Sequence, residues 1–150
     1  MERSRSVRWP YLVLFAEVLT FWRSVLFSGR FAIPWDLQGY HQPLAWFVAR
    51  SLARWELPLW NPYSYCGVPI YANLTAQLFY PPTLALLVLS NWVGGGRHLL
   101  YFLELQIVLH ALLGGCLAYR ILRRIGVSAA AALVGATVYQ LGAYLSLIHI

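Results

Sequence analysis

HLLYFLELQIVLHALLGGCLAY, residues 98–119, is the stretch on which the fold class turns. A hydrocarbon core needs about 20 consecutive apolar residues of helix to cross it, and this run has that length with one carboxylate, Glu104, inside it. Two other runs qualify, Trp9 to Phe27 and Val127 to about Leu147. A fourth, Tyr80 to Val93, is shorter, opens on Pro81-Pro82 and closes on Gly94-Gly95-Gly96. It reads as an interfacial or re-entrant helix rather than a span. The predicted fold is therefore an all-α integral membrane protein. It has about three transmembrane helices, at 9–27, 98–119 and 127–147, and a long outer loop, 28–97, carrying amphipathic juxtamembrane helices.

Composition points the same way. The 150 residues are 60% hydrophobic, 16% aromatic and only 11% charged, with a mean hydropathy of +0.60, which is too apolar for a soluble domain of this length. All eleven basic residues are arginine, scattered in ones, twos and threes. That dispersal excludes the basic patch a nucleic acid would need. Cys66 and Cys116 share no metal or redox spacing.

The arginines also set orientation, since basic residues in short flanks stay on the cytoplasmic side. Arg3, Arg5 and Arg8 precede the first span, and Arg120, Arg123 and Arg124 sit between the second and third. Both clusters fall on one face only if Tyr80 to Val93 does not cross. The N-terminus is then cytoplasmic and 28–97 lies outside. The first run is longer than the apolar part of a signal peptide and is followed by no clear cleavage site, so it reads as an uncleaved anchor.

Within the outer loop, Leu44, Val48, Leu52 and Trp55 recur at helical spacing with Arg50 and Arg54 on another face. That pattern predicts a helix lying flat on the membrane. Between it and the proline-led helix lies PLWNPYSYCGVPIYAN, 58–73, too broken for a long helix and too aromatic for an idle linker. Irregular backbone at this depth has to line a polar cavity or be covered by protein.

WDLQGYHQPLAWFVARSLARWELPLWNPYSYCGVPIYANLTAQLFYPPTLALLVL, followed by LHALLGGCLAYRILRRIG, resembles the N-terminal part of the bacterial YfhO-like membrane proteins, grouped with glycosyltransferases of the GT-C fold. The most specific part is the PLWNPY…G.P…A…YP pattern after an aspartate. The resemblance covers nearly the whole chain. It implies an enzyme of the bacterial plasma membrane that takes a sugar from a polyprenyl-phosphate carrier and passes it to a cell-envelope glycan or glycolipid acceptor, with a catalytic carboxylate in the first outer loop. Asp36 takes that position.

Asp36 is also the only aspartate in the chain, and Glu56 the only other carboxylate in the outer loop. Sugar transfer needs a base for the acceptor hydroxyl, a role for which a positioned carboxylate gives about 10²- to 10⁴-fold. The plainer alternative is that Asp36 caps the helix after it. Trp35 and Leu37 flank Asp36, so no second acid stands beside it, which argues against a bound divalent metal; no other cofactor is implied. A lipid-phosphate leaving group calls for guanidinium donors. Arg97, at the outer mouth of the second span, stands foremost, ahead of Arg50 and Arg54, whose place on a surface helix suits headgroups. His41 and His98 are secondary contacts. Trp60, Tyr63, Tyr65 and Tyr71 can stack on sugar faces or anchor at the interface. Asn61 and Asn73 can bond sugar hydroxyls or cap turns.

Inside the spans, Glu17 and Glu104 have to face protein or water, since an acid near a helix centre costs about 2.5–3.5 kcal/mol in lipid. Gln106 and His110 share a face, read as buried polar packing. Ala131, Gly135 and Gly142 offer a small-residue face for close helix contact. Three spans are a poor enclosure for a lipid-linked donor, so the chain reads as an N-terminal fragment, inactive alone. Its last residues, LSLIHI, 145–150, match a translated sequencing adapter. The competing function is a non-enzymatic transporter or cell-envelope assembly protein whose outer loop only packs or binds lipid.

Overall fold

The structure, a computed structural model, describes residues 8–28, 33, 36–94 and 98–142. Expectations placed on Arg3, Arg5, Pro34, Trp35, Gly95, Gly96, Arg97 and the terminal stretch 143–150 lie outside the described residues. The chain is mostly helical and divides into two compact units, one formed by the segments up to Ser28 and from Ile107 onward, the other by Gly29–Gln106.

Helix α1 spans Trp9–Phe21, with Pro10 in its first turn, where the missing N–H would be unpaired anyway. Wider π-helical backbone continues it over Ser24–Ser28. Helix α4, Leu99–Arg124, is the one helix among the described residues long and apolar enough to cross a membrane. The α5 helix, Ala129–Leu141, is apolar but shorter, as is α1. Local chemistry sets these limits. Gly126 at φ 90° ends α4 through paired bonds, Gly126 N–H to Arg123 O at 3.3 Å and Val127 N–H to Leu122 O at 3.1 Å. Ser128 then caps α5, its hydroxyl oxygen accepting from Ala131 N–H. The third apolar run therefore becomes helical two residues later than its hydropathy suggests.

In the first unit, Leu14 of α1 and Tyr119 of α4 close on Ala132 and Ala136 of α5, all buried. The Tyr11 and Tyr119 rings meet edge to face at 5.4 Å. The small-residue face is thus Ala132 and Ala136, one residue on from the expected Ala131 and Gly135. Ala131 is exposed, and Gly135 instead faces the Leu122 side chain. Polar groups line up beside this contact. The Thr137 hydroxyl lies 2.9 and 3.1 Å from the two Glu17 carboxylate oxygens, and Gln140 Nε2 donates to Leu14 O at 3.0 Å. Gln140 Oε1 has no hydrogen-bond partner among the described residues. It lies against Gly115, where any Cβ would collide with it.

The second unit has a core of its own. A π-helical turn, Leu37–His41, leads into α2, Gln42–Ala53, which packs on α3, Pro81–Gly94. Leu44, Val48, Ile70, Leu87 and Leu99 meet inside. The apolar stripe of α2 is therefore covered by α3 and the segments around it, not left to lie on a bilayer; only Trp55, beyond the helix end, escapes. Glu104 is buried and accepts the Ile33 N–H at 2.6 Å. Thr83, Gln77 and Gln106 close a buried triangle of hydrogen bonds between α3, the preceding turn and α4.

Candidate functional site

A two-residue ladder organises the irregular stretch. Strand β1, Trp60–Asn61, pairs antiparallel with β2, Val68–Pro69, Trp60 opposite Pro69 and Asn61 opposite Val68. The turn between them closes with Gly67 N–H on Ser64 O at 2.8 Å, with both central residues, Tyr65 and Cys66, at positive φ. Hairpin turns of that hand normally hold Asn or Gly, so two bulky residues here are strained. Gly67, at φ 114°, lies under the Trp60 indole, and a Cβ there would come within 2.5 Å of the ring. The rings of this stretch are thus aimed by backbone geometry rather than by burial.

Opposite the hairpin stands the face of the π-turn and α2 that carries Tyr40, Pro43, Leu44 and Phe47, four positions at helical spacing. Together with Trp46, Asn61, Tyr63, Ser64, Tyr65 and Asn73 they line an open groove of about 740 Å³, within the size range of small-molecule sites. Tyr63 meets Phe47 edge-on at 6.1 Å, and the Arg50 guanidinium lies 5.0 Å from the centre of the Trp46 ring.

The two asparagines hold the walls. Asn61, buried, accepts the Tyr63 N–H at 2.9 Å and donates to the Ser64 hydroxyl at 3.1 Å. Asn73 caps the short 3₁₀ turn Leu74–Ala76 by accepting from Thr75 N–H, and donates to the Tyr40 hydroxyl at 2.9 Å. Both amides thus act mainly on the chain itself. The groups left facing the groove are rings, the Ser64 hydroxyl and the phenols of Tyr63 and Tyr65.

No protein-family model, curated protein or solved structure matches the chain.

The geometry sorts the candidates. Asp36 is exposed and stands directly before the π-helical turn, with helical φ and ψ and no capping bond from its side chain. It precedes Tyr40 by about one turn but does not itself line the groove. His41 is half-buried, its ring edge-on to Tyr40 at 5.2 Å. Arg50 reaches the groove only through Trp46. Glu56 is turned away into an exposed pair with Arg54 at 3.6 Å. Among the described residues, no three His, Cys, Asp or Glu side chains come together as metal ligands would. Tyr40, Trp46 and Phe47 were not singled out from sequence. For Tyr40 and Phe47 the signal was available in the spacing 40, 43, 44 and 47, which merges with the core face of α2 and so reads as packing.

An aromatic groove with few uncommitted polar atoms can grip the C–H face of a ring-shaped ligand and leave its hydroxyls to water and to phenols. A carboxylate one turn away, free of a capping role, can accept a proton.

Proposed function

We propose that the chain is the N-terminal part of a membrane glycosyltransferase. In this reading a sugar leaves a polyprenyl-phosphate carrier for an envelope glycan or glycolipid acceptor on the outer face of the plasma membrane. The observation that carries it is the place of Asp36: it heads the helical segment whose next turn supplies Tyr40 to a ring-lined groove, and its carboxylate makes no cap bond to that segment. Asp36 accepts the proton of the attacking hydroxyl, the rings hold the sugar by its apolar face, and Arg50 meets phosphate charge at the groove's edge. Arg97, two residues ahead of Leu99 in the sequence, is proposed as a second phosphate contact. Helix α4 supplies the hydrocarbon crossing, and α1 and α5, with their 9–27 and 127–147 runs, complete three passes with the N-terminus cytoplasmic.

The test is sugar transfer by membranes containing the full-length protein, of which this chain is proposed to be the N-terminal part, with Asp36→Asn. Amide keeps shape and removes the proton acceptor, so transfer should fall about 10²- to 10⁴-fold while the protein accumulates normally. Retained transfer removes Asp36 from the mechanism, whereas absence of transfer by the unsubstituted protein as well leaves the transporter or assembly reading in place of the enzyme.

A further inference from the structure

We infer that Trp55, Leu57 and Trp92 form the surface by which the unit Gly29–Gln106 seats in the headgroup layer of a lipid bilayer. The inference rests on the membrane part of the reading above and is independent of any catalytic role.

Two helices of this chain end in the same way. At the end of α4, Gly126 occupies the left-handed position that closes the last turn, with Val127 bonding back to Leu122. At the end of α2, Trp55 N–H bonds Leu52 O and Glu56 N–H bonds Ser51 O, both at 3.0 Å, the same paired pattern. The left-handed residue here is Trp55, at φ 60°. Glycine takes that conformation freely and a bulky residue does not. Nothing in the unit offsets the strain by packing, because Trp55 is 98% exposed. Trp92, on α3, is 84% exposed and Leu57 67%. With Val88 and Asn91 they border an open hollow of about 560 Å³. Asn91 Nδ2 donates to Ala49 O at 2.7 Å, so the edge of α3 bearing Trp92 is tied to the helix that Trp55 terminates.

A bilayer is the occupant these features fit. An indole has an apolar body and one N–H, and such rings collect where acyl chains give way to headgroups. Leu99, the first residue of α4, belongs to the same core as Val48 and Leu87. The helix long and apolar enough to cross a membrane therefore starts inside this unit. Arg50 and Arg54 stand exposed nearby, and Glu56 pairs with only one of them. The excess positive charge suits lipid phosphate.

The experiment uses the full chain in vesicles of phosphatidylcholine and phosphatidylglycerol, with Cys66→Ser and Cys116→Ser. A nitroxide is placed in turn at Trp55→Cys, Trp92→Cys, Tyr65→Cys and Leu113→Cys. Leu113, on the exposed side of α4, should be open to oxygen and closed to a water-soluble nickel chelate. Positions 55 and 92 should show an oxygen-to-nickel accessibility ratio several-fold above that of position 65. Equal ratios at 55, 92 and 65 overturn the inference alone. Labels at 55 and 92 shielded from both reagents mean that protein covers the patch, which also overturns it. A water-exposed label at 113 overturns the membrane reading and this inference together. Should the cysteine variants misfold, the chain with Trp55→Phe and Trp92→Phe gives a second reading. Lipids brominated near the headgroups should quench its remaining tryptophans by a smaller fraction than in the natural chain. An unchanged fraction counts against the patch.

Discussion

The two units hold their polar side chains to different ends. In Gly29–Gln106 several of them bond main chain, Glu104 to Ile33 N–H, Asn91 to Ala49 O, Asn61 to Tyr63 N–H and Asn73 to Thr75 N–H, beside the side-chain triangle of Thr83, Gln77 and Gln106. Each such bond fixes a turn or a junction, so loop geometry is defined without much hydrophobic burial. In the α1, α5 and later α4 unit, Thr137 and Gln140 of α5 bond the Glu17 carboxylate and the Leu14 carbonyl of α1. There they tie one helix to another beside an alanine contact. The first arrangement builds a shaped surface; the second builds only adhesion. The proposed ligand chemistry therefore belongs to Gly29–Gln106, and perturbing the unit of α1 and α5 should change stability without changing selectivity.

The strongest way to break that contrast is Asp36→Asn, where the predicted loss of transfer corresponds to about 3–5 kcal/mol of barrier. Glu56→Gln, which alters only an exposed pair, should leave transfer near normal. A smaller effect is expected for Gly67→Ala. The new methyl meets the Trp60 ring at a φ that L-residues avoid, so thermal unfolding of the detergent-solubilised chain should show a loss of about 1–3 kcal/mol. An unchanged midpoint would mean that the hairpin gives way without cost and cannot hold the groove's rings.

The other unit gives the next test. In Gly115→Ala the added carbon displaces the Gln140 amide, and the bond to Leu14 O goes with it. Interhelical bonds of this kind in lipid average about 0.6 kcal/mol and reach about 1.7, so a loss of about 1–2 kcal/mol is expected with groove binding untouched. Adding Gln140→Ala should recover part of it, as a double-mutant cycle would read out. Full additivity would show the two residues do not interact. The smallest effect has the opposite sign. Trp55→Gly relieves the left-handed strain at the α2 terminus and should stabilise the chain by about 0.5–1 kcal/mol in detergent. A clear destabilisation would show that Trp55 packs in a way its exposure conceals.

Hydropathy and punctuation located the helices well where the signal is local. The second span, read as 98–119, is α4 at Leu99–Arg124, and the proline-to-glycine run 80–93 is α3 at Pro81–Gly94. The stripe Leu44, Val48, Leu52 had the right period but the wrong covering. What buries it comes from Ile70, Leu78 and Leu87, and no local pattern says that distant residues will return. The same limit hid half the groove. Asn61, Tyr63 and Asn73 stood out because asparagine and exposed rings are conspicuous in an apolar chain. Tyr40, Trp46 and Phe47 looked like ordinary helix residues until the hairpin was set against them. Asp36 stood out as the only aspartate as well as through the resemblance, and its missing cap bond could only come from geometry.

Asn73-Leu74-Thr75 is a glycosylation acceptor triplet, and its place in the groove gives it a practical meaning. Asn73 Nδ2, the nitrogen to which a glycan would be joined, is the one that donates to Tyr40, and Thr75 bonds the same amide. Production through a eukaryotic secretory route, with this segment in the lumen, would attach a branched sugar to the wall of the groove before the chain folds. The preparation would then arrive with its groove obstructed, and binding assays on it would read as inactivity. Removing the triplet is no remedy, since Asn73→Gln or Thr75→Ala each dismantles part of the wall. The choice of expression host is thereby dictated by one hydrogen bond.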